Sequence, residues 1–572
     1  MTDRSVVGVV GAGPAAEAVE AAVADLDAVA EPIDVAGIGS VDLPVVIGPS
    51  GRSVFDRADG AATGLWVAVE LGGIGGRPVA DVDASVSALD PSGGCFDCLR
   101  TRVASNADGE PSAEPRTTRS DARLAGALAG RLVAGLIGGD VEPGRVVELP
   151  YAERRLLPVP GCRCTPPAST GLDRTDDDAT LEEAVARAES AVDGRIGLVG
   201  EVGEVHSFPA PYYLATLADT TAFSDAAAGP QAAGVAVDWN AAFVKAIGEA
   251  LERYAAGVYR ESSFEVAPAE EMDDAVSPSS FVLSSSFDDP DPSEPIPWLP
   301  GESLRDGRAV RLPAEFVVFP PPARRHAPSI TTGLGLGTSG VGALLSGLYE
   351  VVERDATMLA WYSTFEPLGL AVDDEEFETL ARRARSEDLT VTPLLVTQDV
   401  DVPVVTVSVH REDEWPRFAV GSGADLDTAA AARSALAEAL QNWMELRSMG
   451  PERAAEDPSD IARFAELPTD ARSLLDPEAV VDASGLGPAT PVVGTGELDA
   501  VLDRLDGVGL EVFAARLTSP DVERLGFEVV RVLVPGAQPL FTGERFFGER
   551  ARAVPRELGF RPRLDRGPHP YP

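Results

Sequence analysis

The sequence nearly lacks lysine and has little cysteine, histidine or methionine. Only Lys245 among its 47 basic residues is a lysine, whereas 92 residues are Asp or Glu, which gives a formal net charge of −45. No apolar run is long enough to cross a bilayer, since Arg123 and Arg131 interrupt the most apolar helix-like stretch, residues 122–139. The N-terminal pattern indicates a strand and turn rather than a signal peptide. We therefore expect a soluble, cytoplasmic protein without a membrane segment.

The strong negative charge says little about partners. An acidic chain that uses arginine almost exclusively is typical of a salt-loving organism, because at molar salt the Debye length is about 3 Å and self-repulsion is screened. A dedicated nucleic-acid binder would carry a basic patch, and none is evident in the sequence. We therefore expect no nucleic-acid partner.

The chain begins as a strand, a glycine-containing turn and a helix. Residues 6–23 read VVGVVGAGPAAEAVEAAV, which predicts a Rossmann-like α/β start. The third glycine of a dinucleotide fingerprint is missing, and Pro14 removes an N–H donor. We therefore interpret this segment as structural rather than as a dinucleotide site.

The four cysteines form two close pairs, Cys95 with Cys98 and Cys162 with Cys164. In a cytosolic protein such pairs favour a metal over disulfides. Four thiolates would make a closed structural zinc site joining two distant segments. The CxC spacing of the second pair is unusual for zinc, and the alternative is four free thiols.

Two helices share the spacing E-x-x-E-R. Glu249, Glu252 and Arg253 lie in the first, and GLGLGTSGVGALLSGLYEVVERDA brings Glu350, Glu353 and Arg354 into the second. Residues three apart share a helix face. Two such helices facing one cleft would bring four carboxylates together, and these need cations such as Mg²⁺, which often accompanies phosphates. The pattern predicts a Mg²⁺-nucleotide site, although for a single helix a Glu–Arg salt bridge would be the simpler interpretation.

These helices, together with the tail Pro568-His569-Pro570-Tyr571-Pro572, resemble the YcaO family, whose azoline-forming members are ATP-dependent cyclodehydratases. The cysteines and the Rossmann-like start resemble the zinc-bearing scaffold domain, related to ubiquitin-activating enzymes, that precedes YcaO in such systems. The resemblance implies an α/β Rossmann-like, zinc-bearing domain over residues 1–167, a linker over 168–185, and an α+β YcaO domain over 186–572. In the YcaO domain, antiparallel sheets and helices would surround an ATP cleft.

The resemblance also implies roles for individual residues. Backbone amides of a peptide would be activated by transfer of the γ-phosphoryl group of ATP. The carboxyl group of Pro572 would support cyclisation by acting as a base. Zn²⁺ would be held by the four cysteines. Mg²⁺ would be held by Glu249, Glu252, Glu350 and Glu353, and the nucleotide would be bound by these residues together with Lys245, Arg253 and Gln441.

Three positions depart from the family pattern. Lys245 replaces a serine, Gly342 an acidic residue, and Trp443 an arginine for which Arg447 could substitute. These departures keep open a docking protein with reduced catalysis. A YcaO enzyme that makes a thioamide or amidine is a further alternative, against which the tail argues.

The partner implied by the resemblance is a precursor peptide or protein. No leader-binding winged helix is evident, so a separate leader-binding protein or a dehydrogenase would complete the system, and a homodimer would suit the family.

Overall fold

In this computed structural model, residues 4–107, 114–457 and 459–572 are described, and the structural statements below refer to them. The N-terminal part alternates strands and helices up to the segment that carries the second cysteine pair. Its elements are β1 (Ser5–Val10), α1 (Pro14–Ala24), β2 (Ala28–Pro32), β3 (Leu43–Pro49), α2 (Val54–Ala61), β4 (Trp66–Leu71), β5 (Gly73–Ile74), β6 (Arg77–Pro78), β7 (Ala84–Leu89), α3 (Phe96–Ser105), α4 (Arg119–Gly138), β8 (Arg145–Leu149) and β9 (Ala152–Arg155).

These strands form a seven-stranded sheet of order β2-β1-β3-β4-β7-β8-β9. The first four strands pair in parallel, and β7, β8 and β9 continue the sheet antiparallel. The strand, turn and helix predicted for residues 6–23 are found as β1 and α1, and the helix begins at Pro14. The turn needs glycine, since Gly11 has φ 118° and a Cβ there would lie 2.7 Å from the Ile47 carbonyl oxygen.

Helix α4 packs against α1. Thr118 and Asp121 form a capping box at its N-terminus, and Gly139 ends it in the left-handed conformation. A Cβ at Gly126 would lie 2.1 Å from the Ala15 carbonyl oxygen, so only glycine permits this close approach of the two helices. In the described ranges no helix combines the length and apolar character that a bilayer crossing requires.

The rest of the chain builds three further sheets and the long helices that lie on them. Its elements are α5 (Leu181–Glu189), β10 (Val199–His206), β11 (Tyr212–Leu217), β12 (Gln231–Val235), α6 (Trp239–Gly257), β13 (Glu265–Pro268), β14 (Pro295–Ser303), β15 (Ala309–Pro313), α7 (Ala314–Val317), β16 (Leu334–Gly337), α8 (Gly340–Trp361), β17 (Leu368–Ala371), α9 (Glu375–Arg385), β18 (Thr390–Leu395), β19 (Val404–His410), β20 (Phe418–Ala424), α10 (Thr428–Ala454), α11 (Asp460–Phe464), β21 (Val480–Asp482), α12 (Thr495–Gly507), β22 (Phe513–Arg516), α13 (Pro520–Leu525), β23 (Glu528–Leu533) and α14 (Arg550–Glu557).

The three sheets have the orders β10-β11-β12, β13-β14-β22-β23-β16 with β15 beside β14, and β20-β19-β18-β17-β21. Helix α6 packs on β12, α8 on β16 and β23, and α10 on β20 and β19. The helical geometry of α10 is interrupted at Gly450. The sheets thus present three long helices, each of which follows a glycine-containing strand.

The segment interpreted as a linker is packed against the start of α8. Thr175 accepts a hydrogen bond from the main-chain N–H of Val341 at 2.9 Å through its carbonyl. The Asp178 carboxylate accepts one from the Ser339 hydroxyl at 2.7 Å. Helix α5 begins at Leu181, inside the range 168–185. This segment is therefore part of the wall around α8.

We predict that Arg550→Ala lowers the free energy of unfolding by about 3–5 kcal/mol, because it leaves Asp355 buried without its cation. The Asp355 side chain is 4% exposed and pairs with Arg550 at 2.7 Å, and Arg550 also binds Asp399. Urea denaturation in a constant high-salt buffer measures the loss. Arg305→Ala breaks the exposed Arg305–Asp503 pair and serves as the matched control, with an expected change of about 0–1 kcal/mol. Equal losses in the two variants would contradict the prediction.

Candidate functional site

Three strand–helix units converge on one cluster of carboxylates. In each unit the strand carries a glycine at which a Cβ would lie 2.2 to 2.4 Å from the helix backbone: Gly234 against Ala246, Gly335 against Ala343, and Gly421 against Ala435. These glycines let α6, α8 and α10 lie directly on their strands. The close approach brings helix side chains within reach of strand N–H groups.

Each helix then supplies one carboxylate to a main-chain N–H of its own unit. Glu249 accepts from Ala233 at 2.9 Å, and Glu350 accepts from Gly333, immediately before β16, at 3.0 Å. Glu438 accepts from Ser422 at 2.6 Å. The helix sequences are E-x-x-E-R, E-x-x-E-R and E-x-x-Q-N, so α10 is a third copy that lacks the arginine. The sequence analysis placed Gln441 in the site but missed Glu438, although the spacing E-x-x-Q was the available signal.

Arg354 joins two of the helices and the tail. Its guanidinium nitrogens lie 3.5 Å from a carboxylate oxygen of Glu353, 3.8 Å from one of Glu438 and 3.9 Å from one of Glu350. It also donates a hydrogen bond to the main-chain oxygen of Pro572 at 3.2 Å. Pro572 therefore lies beside the acidic helix α8. Arg253 makes the corresponding local contact on α6, at 2.5 Å from Glu249.

Charge repulsion and burial raise the pKa of two of these carboxyls. Burial, followed by the charges of Glu350 and Glu249, raises the pKa of Glu252 from 4.5 to about 8. Burial also raises the pKa of Glu353 to about 7; Glu438 adds to this rise, whereas Arg354 and the Ser422 hydroxyl oppose it. The cluster therefore holds protons near neutral pH unless a cation replaces them. Hard divalent cations with a preference for oxygen ligands, such as Mg²⁺, suit this donor set.

Arg531, on β23, is a second cation that the sequence analysis missed. It is 4% exposed and donates hydrogen bonds to the carbonyls of Thr331 and Ile330 at 2.8 and 2.9 Å. Burial lowers its pKa to about 10, and the charges of Glu350 and Glu252 oppose that fall. An isolated arginine in an apolar strand gives no periodic signal, so the sequence offered no way to find it.

Gln441 on α10 and Lys245 on α6 are the remaining residues that the sequence predicts for the nucleotide site. The Gln441 amide donates to Glu445 at 3.1 Å, and the Tyr212 hydroxyl donates to the same oxygen at 2.9 Å. Burial, then the charge of Glu445 and the hydrogen bond to it, and then the charge of Glu249 raise the pKa of Tyr212. Lys245 is exposed on α6, one turn before Glu249.

The structure accounts for two departures from the family pattern. A Cβ at Gly342 would lie 2.8 Å from the Asp178 carboxylate, so a carboxylate from the preceding segment occupies the space beside this position. Trp443 is buried and donates to the Pro416 carbonyl at 3.2 Å. Arg447 stacks 4.5 Å from the Trp443 ring centroid and pairs with Glu387 at 3.2 Å. Arg447 therefore points to Glu387 and does not take over the place of an arginine in the cluster.

The four cysteines come together at a separate location, at the start of α3. Sγ–Sγ distances are 3.3 Å for Cys98–Cys164, 3.5 Å for Cys95–Cys162 and 3.9 Å for Cys95–Cys98. A tetrahedral Zn²⁺ with Zn–S bonds of about 2.3 Å requires separations of about 3.8 Å, whereas a disulfide requires about 2.05 Å. Hydrogen bonding with the other thiols, and then burial, raises the pKa of Cys98, so four thiolates need a cation. The donor set fits a metal ion.

A family model described as "YcaO cyclodehydratase, ATP- and Mg²⁺-binding" matches residues 233–538, more than half of the chain. The chain belongs to the YcaO family. The match covers α6, α8, α10 and β23, and therefore Glu249, Glu252, Glu350, Glu353 and Glu438. Binding of ATP and Mg²⁺ is thus a property of the family in which this cluster lies.

Two known proteins are similar to this chain in sequence. An uncharacterized protein of Methanothermobacter thermautotrophicus is 28% identical over 340 residues, which are 56% of this chain and 85% of that protein. An uncharacterized protein of Rhizobium leguminosarum bv. trifolii, from the tfuA 3′ region, is 25% identical over 279 residues, and the match spans 63% of its length.

Two solved structures share the fold. A heterocyclase in complex with substrate and cofactor has a TM-score of 0.75 at 20% identity, over 99% of this chain and 86% of that one. The heterocyclase TruD has a TM-score of 0.66 at 19% identity, over 97% and 82%. The mixed α/β architecture with several sheets is therefore that of YcaO heterocyclases.

We predict that binding of Mg²⁺ and nucleotide at pH 7 releases roughly one to two protons, since Glu252 and Glu353 must lose those they hold at pKa values of about 8 and 7. Calorimetry in buffers of different ionisation enthalpy counts the protons. Glu252→Gln should remove most of the release, and Glu20→Gln, at an exposed position on α1, should leave it unchanged.

The same carboxyls set a pH dependence of stability without metal. Their folded-state pKa values exceed 4.5, so the folded state binds more protons than the unfolded chain at neutral pH. Their contribution to stability is thus complete below about pH 4.5 and is lost as the pH rises towards 8.

For the calorimetric measurement of proton release, a count near zero in the wild type, or one unaffected by Glu252→Gln, would contradict the assignment of these protons to the cluster.

Proposed function

We propose that the protein is an ATP-dependent cyclodehydratase that activates backbone amides of a peptide and forms azoline heterocycles. The observation that carries the proposal is the contact of Arg354 with both the carboxylate cluster and the oxygen of Pro572. It sets the tail beside the groups suited to a Mg²⁺-bound phosphate. A peptide amide placed between them would meet a phosphoryl donor and a proton acceptor together. Membership in a family described as ATP- and Mg²⁺-binding supports the nucleotide.

The proposed reaction has three steps. The thiol or hydroxyl of a substrate Cys, Ser or Thr adds to the preceding carbonyl carbon and loses its proton. The carbonyl oxygen takes the γ-phosphoryl group of ATP, and ADP leaves. Loss of the amide proton and cleavage of the carbon–oxygen bond then release phosphate and leave the C=N bond of the azoline. Such chemistry depends mainly on positioning and charge neutralisation.

The chain's residues have these proposed roles. Glu249, Glu252, Glu350 and Glu353 hold Mg²⁺, which when bound neutralises phosphate charge. Arg253 and Lys245 face phosphate or orient a carboxylate, and Gln441 contributes to nucleotide binding. The buried Arg354 holds Pro572 in the cleft, where Pro572 is the proposed proton acceptor.

The cysteine cluster is the proposed Zn²⁺ site of a Rossmann-like scaffold domain over residues 1–167, joined through 168–185 to a YcaO domain over 186–572. The parallel pairing of β1 to β4 and the sulfur separations support this assignment. A precursor peptide is the proposed substrate. A separate leader-binding protein or dehydrogenase, and a second copy of this chain, are the proposed partners.

One observation favours a second candidate, a docking protein with reduced catalysis. Trp443 is buried where the family pattern has an arginine, and Arg447 is engaged by Glu387. The cluster then has one cation fewer than the family pattern provides. Measurement of ATP turnover separates the two candidates.

We predict that the purified protein hydrolyses ATP in molar salt with Mg²⁺, and that Glu350→Gln and Glu353→Gln each lower turnover on the order of 10²-fold or more, because the charge that holds the metal is lost. Glu20→Gln is the matched control. Calorimetry on the same samples reports nucleotide binding, since turnover without peptide can be low. A folded wild type that neither binds nor hydrolyses ATP would favour the docking protein.

We predict that deletion of Pro572 abolishes cyclisation of a Cys-containing substrate peptide while nucleotide affinity stays within a few-fold of the wild type. Pro572 contacts the cluster through Arg354, whereas the preceding Tyr571 is buried in the core and keeps the tail in place. Mass spectrometry detects cyclisation as the loss of one water from the peptide. Unchanged cyclisation in the deletion variant would contradict the role of Pro572. A product that exchanges oxygen for sulfur or nitrogen would favour the thioamide or amidine alternative.

A further inference from the structure

A buried charged node links the cysteine cluster to the carboxylate cluster. It consists of Arg102 on α3, Tyr254 on α6 and Asp521 on α13, all without exposed surface. Arg102 forms an ion pair with Asp521. The Tyr254 hydroxyl donates to Asp521 at 2.6 Å and accepts from Arg102 at 3.1 Å. The guanidinium also lies over the Phe223 ring, 5.5 Å from its centroid.

One side of the node is tied to the cysteines. Arg102 lies one turn after Cys98 on α3 and donates to the Pro158 carbonyl at 3.0 Å, while the next N–H, that of Val159, donates to the Cys98 sulfur at 3.2 Å. A second tie runs from α13. Arg524 donates at 2.6 Å to the carbonyl of Gly93, two residues before Cys95. A shift of the cysteine loops would therefore move both α3 and α13.

The other side of the node is tied to the carboxylates. Tyr254 directly follows Glu252 and Arg253 on α6. Asp521 lies on α13, which leads into β23 and Arg531, and Arg531 faces Glu252 electrostatically. Glu252 on α6 and Arg531 on β23 carry opposite charges, and each is thus connected to the node by a short stretch of chain.

A fully buried ion pair is weak evidence for a gain in stability, because desolvation offsets its attraction, but hydrogen bonds among buried groups of this kind fix one geometry. The cysteine cluster offers a cause for change in that geometry. A bound metal with metal–sulfur bonds of about 2.3 Å would hold the four sulfurs about 3.8 Å apart. Without it, sulfurs 3.3 to 3.9 Å apart are joined only by thiol hydrogen bonds, so the loops around Cys98 and Cys164 lose a constraint. Arg102, one turn after Cys98, is the fully buried charged residue of α3 and would receive that shift.

We infer that Arg102, Tyr254 and Asp521 are positioning residues through which metal occupancy of the cysteine cluster sets the affinity of the carboxylate cluster for Mg²⁺ and nucleotide. This inference rests on the proposed nucleotide site. Coupling between two binding sites is reciprocal. Metal in the cysteine cluster should therefore raise nucleotide affinity, and nucleotide should tighten metal binding by the same factor.

The test uses the full-length chain with Co²⁺ in the cysteine cluster, and Mg²⁺ with the non-hydrolysable analogue β,γ-imido-ATP as the probe. Calorimetry compares nucleotide affinity in metal-loaded and metal-stripped protein, with an expected difference between about 5- and 150-fold. The cobalt–thiolate absorption bands should shift when nucleotide binds. This spectral measurement needs only loaded protein, so it holds even if stripping unfolds the chain.

Tyr254→Phe is the decisive variant, because it keeps the buried ring and removes the hydroxyl that joins α6 to Asp521. It should retain metal content and thermal midpoint within a few degrees, yet lose the spectral shift and most of the affinity difference. Tyr259→Phe is the matched control: its hydroxyl donates to the Pro320 carbonyl at 2.8 Å just beyond the end of α6, outside the node. The control should behave as the wild type.

Three results would overturn the inference. Equal nucleotide affinity in loaded and stripped protein, with no spectral shift, would refute it and leave the proposed function standing. A shift that persists in Tyr254→Phe would show that the node does not carry the coupling. Absence of nucleotide binding in both forms, with the chain folded, would refute the inference and the proposed function together.

Discussion

Mutual repulsion among carboxylates is the constraint on which the rest of the structure depends. Glu249, Glu252, Glu350, Glu353 and Glu438 come from three helices and face one cleft, and burial makes each charge costlier than it would be in water. The protein offsets this cost by pointing N–H groups and arginines at the carboxylates, not by keeping the carboxylates far apart. Main-chain N–H groups bind three of the carboxylates, and two largely buried arginines face the others. The remaining negative charge is what gives the cleft its affinity for a divalent cation.

The fold explains how three helices can supply such a cluster. A glycine in each strand removes the side chain that would separate strand from helix, and the helix then lies close enough for its glutamate to reach a strand N–H. The same arrangement in β12–α6, β16–α8 and β20–α10 means that one local solution is used three times. The third copy lacks the arginine of the others, and Arg354 on α8 contacts its glutamate instead.

The sequence was informative where the chemistry is local and uninformative where it is not. The E-x-x-E-R helices, the cysteine pairs and the tail are short patterns whose spacing carries their meaning, and the residues of each set lie close together in the structure. Glu438 was missed because its helix lacks the arginine that marked the other two. Arg531 was missed because it is a lone charged residue on a strand, 279 positions after Glu252 in the chain. No periodicity in the sequence relates two positions that far apart. Trp443 and Arg447 had to be seen in place before their orientation was known.

Arginine is also the residue that Arg531's position requires, independently of the acidic, lysine-poor composition. Burial lowers the pKa of Arg531 from 12.5 to about 10, which leaves the group charged at neutral pH. The same decrease applied to a lysine, whose ordinary pKa is about 10.4, would give about 8 and a partly neutral group. A neutral amine would leave Glu252 and Glu350 without their cation and could not hold two carbonyls in a fixed fork as Arg531 does. Arg531 is therefore a position at which the chain needs arginine for its chemistry.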